Sequence, residues 1–419
     1  MDEKGEAIIK KEENVRSKTP WWHYPKLHNK VVKALLVSLK PMLLREISRA
    51  FIRLGHECRI LLIGEEELET KIVEQTFTQV LKTFKPDFLL TINHLGFDRE
   101  GLITSLLTYY HIPFASWYVD SPDLIIHHYL ENKSPYLTLF LWDRDYLEVT
   151  RKMGFLKAEY LPLGVDECLF RPIKQSENQL NFPRSELSFV GNSMVIKVQS
   201  VLKRNQIRGL LLDRFYEVAR SFLHSEHLLV KELIKEAFPE LWQELKKLPP
   251  DQIAGYETAV IWQATSWYRA GLIESLSPFE PLIVGDKGWL KILAGGFRYH
   301  PEVNYYAHLP FLYNSTRINF NATSRQMKNG VNQRVFDIPA CRALLITDWA
   351  SQLEELMEPG REVLTYRGKE ELRELVERVR KDRELRERVA EAGYRRVLNE
   401  HTYLKRVRHL IEVMRRNYG

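Results

Sequence analysis

Asn329-Gly330-Val331-Asn332-Gln333-Arg334-Val335-Phe336-Asp337-Ile338-Pro339-Ala340-Cys341-Arg342-Ala343-Leu344-Leu345-Ile346-Thr347-Asp348 reads as a polar loop, a short helix and a buried strand. Lys328, Asn329, Gly330, Asn332 and Arg334 occupy the loop and the first turn. Unbonded amides at a helix start attract anions, and adjacent cations add to that. Gln333 or Arg334 and Asp337 are three to four residues apart and so share a helix face. Cations and amides suit a diphosphate, and a carboxylate suits ribose hydroxyls. The segment alone also admits the plainer reading, Asp337 paired with Arg334 at the surface.

Outward from this stretch, strands and helices alternate. Apolar runs at Ala34–Ser38, Arg59–Ile63, Phe88–Ile92, Phe114–Val119, Leu137–Leu141 and Tyr160–Leu163 predict one set of strands. Leu187–Val190, Leu282–Val284, Ile318–Asn321 and Leu344–Thr347 predict a second. Between them, Leu43, Ile47, Ala50, Phe51 and Leu54 recur at helical spacing, as do Val73, Phe77, Val80, Leu81 and Phe84. Continuous apolar strands alternating with helices imply parallel sheets covered on both faces. The expected fold class is therefore α/β, with two Rossmann-like doubly wound domains facing a cleft at the carboxyl ends of their strands. Residues 1–30 are expected to be a disordered tail, 31–180 the first domain and 181–400 the second. A helical insertion is expected over 197–280, and a terminal helix over 401–419. The aromatic knot Trp21-Trp22-His23-Tyr24-Pro25 is expected to pack on the first domain.

The chain resembles GT-B glycosyltransferases, most of all the spore-maturation CgeB-type group. The resemblance rests on Arg334-Val335-Phe336-Asp337 ahead of a strand ending Thr347-Asp348. Further matches are Gly285-Asp286-Lys287-Gly288-Trp289, Leu309–Asn314, Ile318–Ser324, Leu353–Leu356, Glu400–Tyr403, Asn93–Asp98 and Ser116–Pro122. It implies transfer of a sugar from a nucleotide diphosphate donor, a UDP-sugar first among them, to a hydroxyl on a protein, glycan or lipid-linked acceptor. It also implies that the last helix crosses back to the first domain. Two departures stand out: Asn329 replaces the first of two glutamates found in many retaining enzymes, and Arg342 replaces a glycine. The turn at Arg342 is expected to have shifted to avoid a strained backbone. A non-catalytic sugar-binding or surface-assembly protein, and a nucleotide-sugar epimerase, are the alternative readings.

Composition narrows the field. A chain of 419 residues exceeds one ordinary core. No apolar stretch is long enough to span a bilayer, and Met1-Asp2-Glu3-Lys4 is mixed-charge without an apolar signal core, so secretion by that route is not expected. Cys58, Cys168 and Cys341 lie far apart, which disfavours a disulfide scaffold or a zinc site and points to the cytoplasm. Net charge is +6, but the basic residues after Arg373 are interleaved with glutamates. Solvated helix faces explain that pattern better than a nucleic-acid surface; contact with an acidic membrane surface is the sharper alternative.

Asp120, directly after a strand, and His94, after another, are the candidate bases for the acceptor hydroxyl. Asn192, Asp286, Asn321, Lys328, Asn332, Arg334 and Asp337 are the candidate donor-binding residues. Asp143-Arg144-Asp145 has a metal-diphosphate spacing but falls in the first domain, so Asp143 is expected to cap a helix or line the cleft. No cofactor and no metal are expected.

Overall fold

The computed structural model describes residues 19–64, 71–173 and 185–419. Most of the expected tail and the expected domain boundary at 180/181 lie outside the described residues. One parallel sheet contains β1 (Lys33–Ser38), β2 (Glu57–Leu62), β3 (Phe88–Ile92), β4 (Phe114–Tyr118), β5 (Leu137–Leu141) and β6 (Ala158–Tyr160) in the order β2-β1-β3-β4-β5-β6. The other contains β7 (Ser185–Val190), β8 (Leu282–Gly285), β9 (Arg298–Pro301), β10 (Thr316–Asn321), β11 (Leu344–Asp348) and β12 (Leu364–Tyr366), ordered β12-β11-β10-β7-β8-β9. Every residue of β3, β4 and β5 is buried, as expected of strands covered on both faces. β2 corrects the expectation of a buried strand over Arg59–Ile63. It is an edge strand, with Ile60 46% and Leu62 53% exposed.

In the second sheet β7 is central, β8 and β9 extend to one side, and β10 to β12 extend to the other. Phe320 of β10 lies in register with Phe189 of β7 and Ile346 of β11. The chain therefore reverses direction of build between β7 and β10, which opens a crevice at their carboxyl ends.

Helices from Val195–Arg204 to Pro250–Ser275 fill the connection between β7 and β8 and bury a core of their own, including Phe222, Leu241, Tyr256 and Ile261. The long Pro250–Ser275 helix joins two cores. Ala259, Val260 and Ala264 pack in the helical one, and Leu272 and Ile273 pack under the second sheet. A helix with buried residues along its whole length has no solvent stripe, so it acts as a strut. The helical unit also touches the first sheet's loops. Leu124 packs on its core, and Lys231 pairs with the buried Asp123.

The Tyr403–Tyr418 helix lies against the Leu44–Arg53 helix of the first sheet. Val407, Leu410, Ile411 and Met414 join the core there, and Arg415 donates to the Asn29 carbonyl at 2.8 Å. Trp21 and Trp22 pack on Tyr110 with ring centroids 4.7 and 5.0 Å away. No helix among the described residues is long and apolar enough to cross a membrane. Arg342 keeps a positive φ of 55°, so the expected shift of that turn does not occur. The side chain strains its own backbone and pairs with Glu391 at 2.5 Å.

Candidate active cleft

The crevice between β7 and β10 holds a cavity of about 330 Å³. Two glycines make room for it. A Cβ on Gly285 would lie 2.2 Å from the Gly191 carbonyl oxygen, so the turns after β7 and β8 approach as only glycine allows. Asn192, Arg269, Glu302, Tyr305, Asn332 and Arg334 are among the residues lining the cavity.

Arg269 was not anticipated. It comes from the Pro250–Ser275 helix and is 4% exposed. Its guanidinium donates to the Asn192 carbonyl at 2.9 Å and the Ala322 carbonyl at 3.2 Å. It thereby bridges the strand ends on both sides of the crevice. Burial lowers its pKa to about 9, with the positive charge of Arg334 adding to the effect. The guanidinium is still cationic at neutral pH. The sequence held a signal for it, a lone arginine in the apolar helical run Ala264–Ile273. Buried arginines seldom occur without a partner.

Arg334 opens the Arg334–Ala340 helix, and its Nε is buried with no hydrogen-bond partner. Asn332 orients this corner. It exchanges hydrogen bonds with the fully buried Asn321 at 3.0 and 3.2 Å, and its Oδ1 accepts from the Arg334 amide at 3.2 Å. Asn321 is therefore a support behind the cavity. The Phe336 and Asp337 amides bond to the Gln333 carbonyl, so the expected free helix-start amides are already satisfied internally.

Three donor-side expectations need correction. Lys328 Nζ donates to the Phe222 and Ser225 carbonyls at 3.3 and 2.7 Å, capping the Phe215–His224 helix. It lies in a neighbouring cavity with Arg325 and Asp348, and burial lowers its pKa to about 7. Asp286 accepts from the Ser193 amide, the Ser193 hydroxyl and the Gly288 amide at 2.9, 2.6 and 2.7 Å, so it ties two loops together. Asp337 is fully buried behind Tyr305, whose hydroxyl donates to Oδ2 at 2.8 Å, while Gln333 donates to Oδ1 at 2.7 Å. Burial pushes its pKa up to about 8 against those two hydrogen bonds and Arg334. Trp289 is buried edge-on against Phe189 and fills core.

On the first sheet, Asp120 follows β4 and is exposed to solvent although protein crowds it, as for a group on a cleft wall. Crowding raises its pKa, opposed by the Asn93 hydrogen bond and by Lys197 of the second half. Asn93 donates to Asp120 Oδ2 at 2.8 Å and accepts from the Val119 amide at 2.9 Å. Asn93 and His94 both have positive φ, 52° and 57°, a strained pair that holds the Asn93 amide between β3 and Asp120. Asn93 is a second functional candidate beyond those expected from the sequence, where it opens the Asn93–Asp98 motif. His94 does not face the cleft. It is fully buried, stacked on Tyr129 at 5.0 Å, with Nδ1 2.9 Å from the Tyr118 hydroxyl and Nε2 unpartnered. Burial lowers its pKa to about 3. Neither ring nitrogen can meet an acceptor in this conformation.

Asp143-Arg144-Asp145 clasps the two halves together. Gln352 donates to Asp143 Oδ1 at 2.7 Å, Asn329 donates to Asp145 Oδ2 at 2.7 Å, and Arg144 forks onto Glu355 at 2.7 and 2.6 Å. A glutamate at 329 would bring a second carboxylate against Asp145. Asn329, which donates, suits that neighbour.

The fold is that of the GT-B glycosyltransferases. The chain superposes on Anabaena HepE in complex with UDP-glucose at TM-score 0.54 and 10% identity, covering 91% of this chain and 99% of that one. Sucrose-phosphate synthase from Thermosynechococcus elongatus gives 0.54 at 11% identity, with coverage of 92% and 98%. A glycosyltransferase from Rickettsia africae gives 0.54 at 12%, with coverage of 93% and 99%. Residues 269–412 match a family described as glycosyl transferase-like, a match that begins at Arg269. No curated protein matches the chain in sequence.

Proposed function

We propose that this protein transfers a sugar from a nucleoside diphosphate donor to an acceptor hydroxyl, as a metal-independent GT-B enzyme of the CgeB type. The observation that carries the reading is the pair Arg269 and Arg334 on one cavity at the second sheet's switch point. Two guanidiniums near enough to repel each other are most stable with an anion between them. The carboxylate among the lining residues, Glu302, is exposed. A leaving diphosphate fits that charge, and fixed cations stabilise its developing negative charge. The complexes of HepE with UDP and UDP-glucose make UDP-sugars the first donors to try.

Asp120 is the general base in this reading. It is open to solvent, faces the second half across the cleft, and has a pKa above the usual carboxylate value, closer to what proton abstraction at neutral pH requires. Asp337 acts through Tyr305, positioning it at the cavity, and does not hold ribose directly. The acceptor is a protein, glycan or lipid-linked hydroxyl. Free thiols at Cys58, Cys168 and Cys341 suit a reducing cytoplasm.

Calorimetric titration with UDP and UDP-sugars, alongside an assay of UDP release, tests this. Arg334→Ala should weaken UDP binding by about 1.5–3 kcal/mol, the scale of a lost charge-assisted hydrogen bond. Wild-type protein that binds no nucleotide would defeat the proposal. Binding without transfer or hydrolysis would favour a sugar-binding protein.

A further inference from the structure

Away from the donor cavity, the segment after β4 meets the start of the Pro250–Ser275 helix. His127 and His128, adjacent in the short helix Ile126–Asn132, stack with ring centroids 3.8 Å apart. Both turn toward one carboxylate. His127 Nε2 lies 3.6 Å and His128 Nδ1 lies 2.9 Å from Asp251 Oδ1. One potential ligand atom from each of the three residues lies within 4.8 Å of the others. Asp251 lies more than a hundred residues along the chain from the two histidines, so no ligand spacing in the sequence marks the cluster.

The hydrogen bonding around His127 is unusual. Its Nε2 is buried and has no hydrogen-bond partner, while the ring is hydrogen-bonded to the Asp123 backbone. The bonded nitrogen is therefore Nδ1, which carries the proton in a bond to a carbonyl and leaves a lone pair on Nε2. That lone pair faces a carboxylate oxygen, so two acceptors confront each other. A backbone carbonyl holding the far nitrogen is how metal-bound histidines are usually oriented. Arg99 binds the other oxygen of Asp251, Oδ2, at 3.2 Å, which leaves Oδ1 toward the histidines.

We propose that His127, His128 and Asp251 form a site for a zinc-class divalent cation that fastens the loop after β4 to the helical unit. Bonds of about 2.0–2.2 Å set tetrahedral ligands about 3.4 Å apart, close to the 2.9 and 3.6 Å separations from Asp251 Oδ1. Two imidazoles and one carboxylate are a zinc donor set, with a fourth position for water. None of the three residues lines the donor cavity, so the ion would bind apart from the donor's diphosphate. It would tighten the contact that Lys231 and Asp123 already make, a few residues beyond Asp120.

The test uses untagged full-length protein stripped of metal, with zinc ions as the probe. Elemental analysis after dialysis should find about one zinc per chain, and the thermal midpoint should rise with added zinc. Cobalt substitution should give visible ligand-field bands without thiolate charge transfer. His127→Gln and Asp251→Asn, the second at a half-exposed position, should each abolish uptake while keeping the metal-free midpoint and UDP affinity. Wild-type protein that takes up no zinc, or variants that retain stoichiometric uptake, would overturn the proposal. A cobalt spectrum with thiolate character would do the same.

Discussion

Replacing Asp337 by asparagine should alter the pH dependence of stability more than stability in mild acid. The Asp337 carboxyl is pushed up to about 8 by burial, against hydrogen bonds from Gln333 and Tyr305. In an unfolded chain it titrates near 4, about 3.9 for free aspartate. Between those values the folded chain holds a proton that the unfolded chain has released. Its contribution to stability is therefore full below about pH 4 and falls as pH rises, at about 1.4 kcal/mol per unit, until about pH 8. The span of about four units sets a ceiling of about 5.6 kcal/mol; water entry and movement of Tyr305 reduce the expected loss to about 2–3 kcal/mol. Asparagine keeps one acceptor oxygen and sets an NH2 where the protonated acid carries its O–H; the Tyr305 hydroxyl can turn to accept from it, and asparagine does not titrate. The two proteins should agree within about 1 kcal/mol at pH 5, and Asp337→Asn should be about 2–3 kcal/mol more stable at pH 8.5. Urea midpoints at three pH values measure the difference. A constant gap across that range would refute the claim that Asp337 is protonated in the folded protein.

Asp120→Asn should lower turnover by about a hundred-fold or more and leave UDP affinity within about two-fold, since the donor cavity has no Asp120 contact; unchanged transfer rates would remove it as the base. Asn329→Glu should destabilise the protein by about 1–2 kcal/mol through repulsion with Asp145, and a double-mutant cycle with Asp145→Asn should recover it. Arg342→Gly should be more stable by about 1 kcal/mol, because a left-handed residue with a Cβ costs about 1–2 kcal/mol and a half-exposed ion pair returns less; thermal midpoints decide. Chelators should leave UDP affinity unchanged, read by calorimetry with and without EDTA.

The parallel sheets were legible because their central strands are unbroken apolar runs, and Phe88–Ile92 and Leu137–Leu141 match to the residue. β9, with the sequence Arg-Tyr-His-Pro, and the three-residue β12 were missed. They are short edge strands shaped by their neighbours, and they lack a run of their own. At the site, the motif from Asn329 to Asp348 located the right corner, since Arg334 and Asn332 line the cavity. It misjudged which polar groups were free. Lys328, Asp286 and Asp337 have the residue types of ligands, yet each is bonded to a carbonyl, an amide or a hydroxyl that sequence spacing does not reveal. Arg269 and the His127–Asp251 meeting depend on a helix that starts in one core and ends in another. Only the folded path brings them to their partners.

The helix Tyr403–Tyr418, which covers part of the first sheet's core, has a consequence for synthesis. Translation adds about 5–20 residues per second, so β1 to β6 leave the ribosome tens of seconds before the segment that packs on the Leu44–Arg53 helix. The half made first must therefore wait, with apolar surface uncovered, for the half made last. Nascent-chain proteolysis should find the second sheet protected as soon as its strands have emerged, and the earlier sheet resistant only once Met414 is clear of the tunnel.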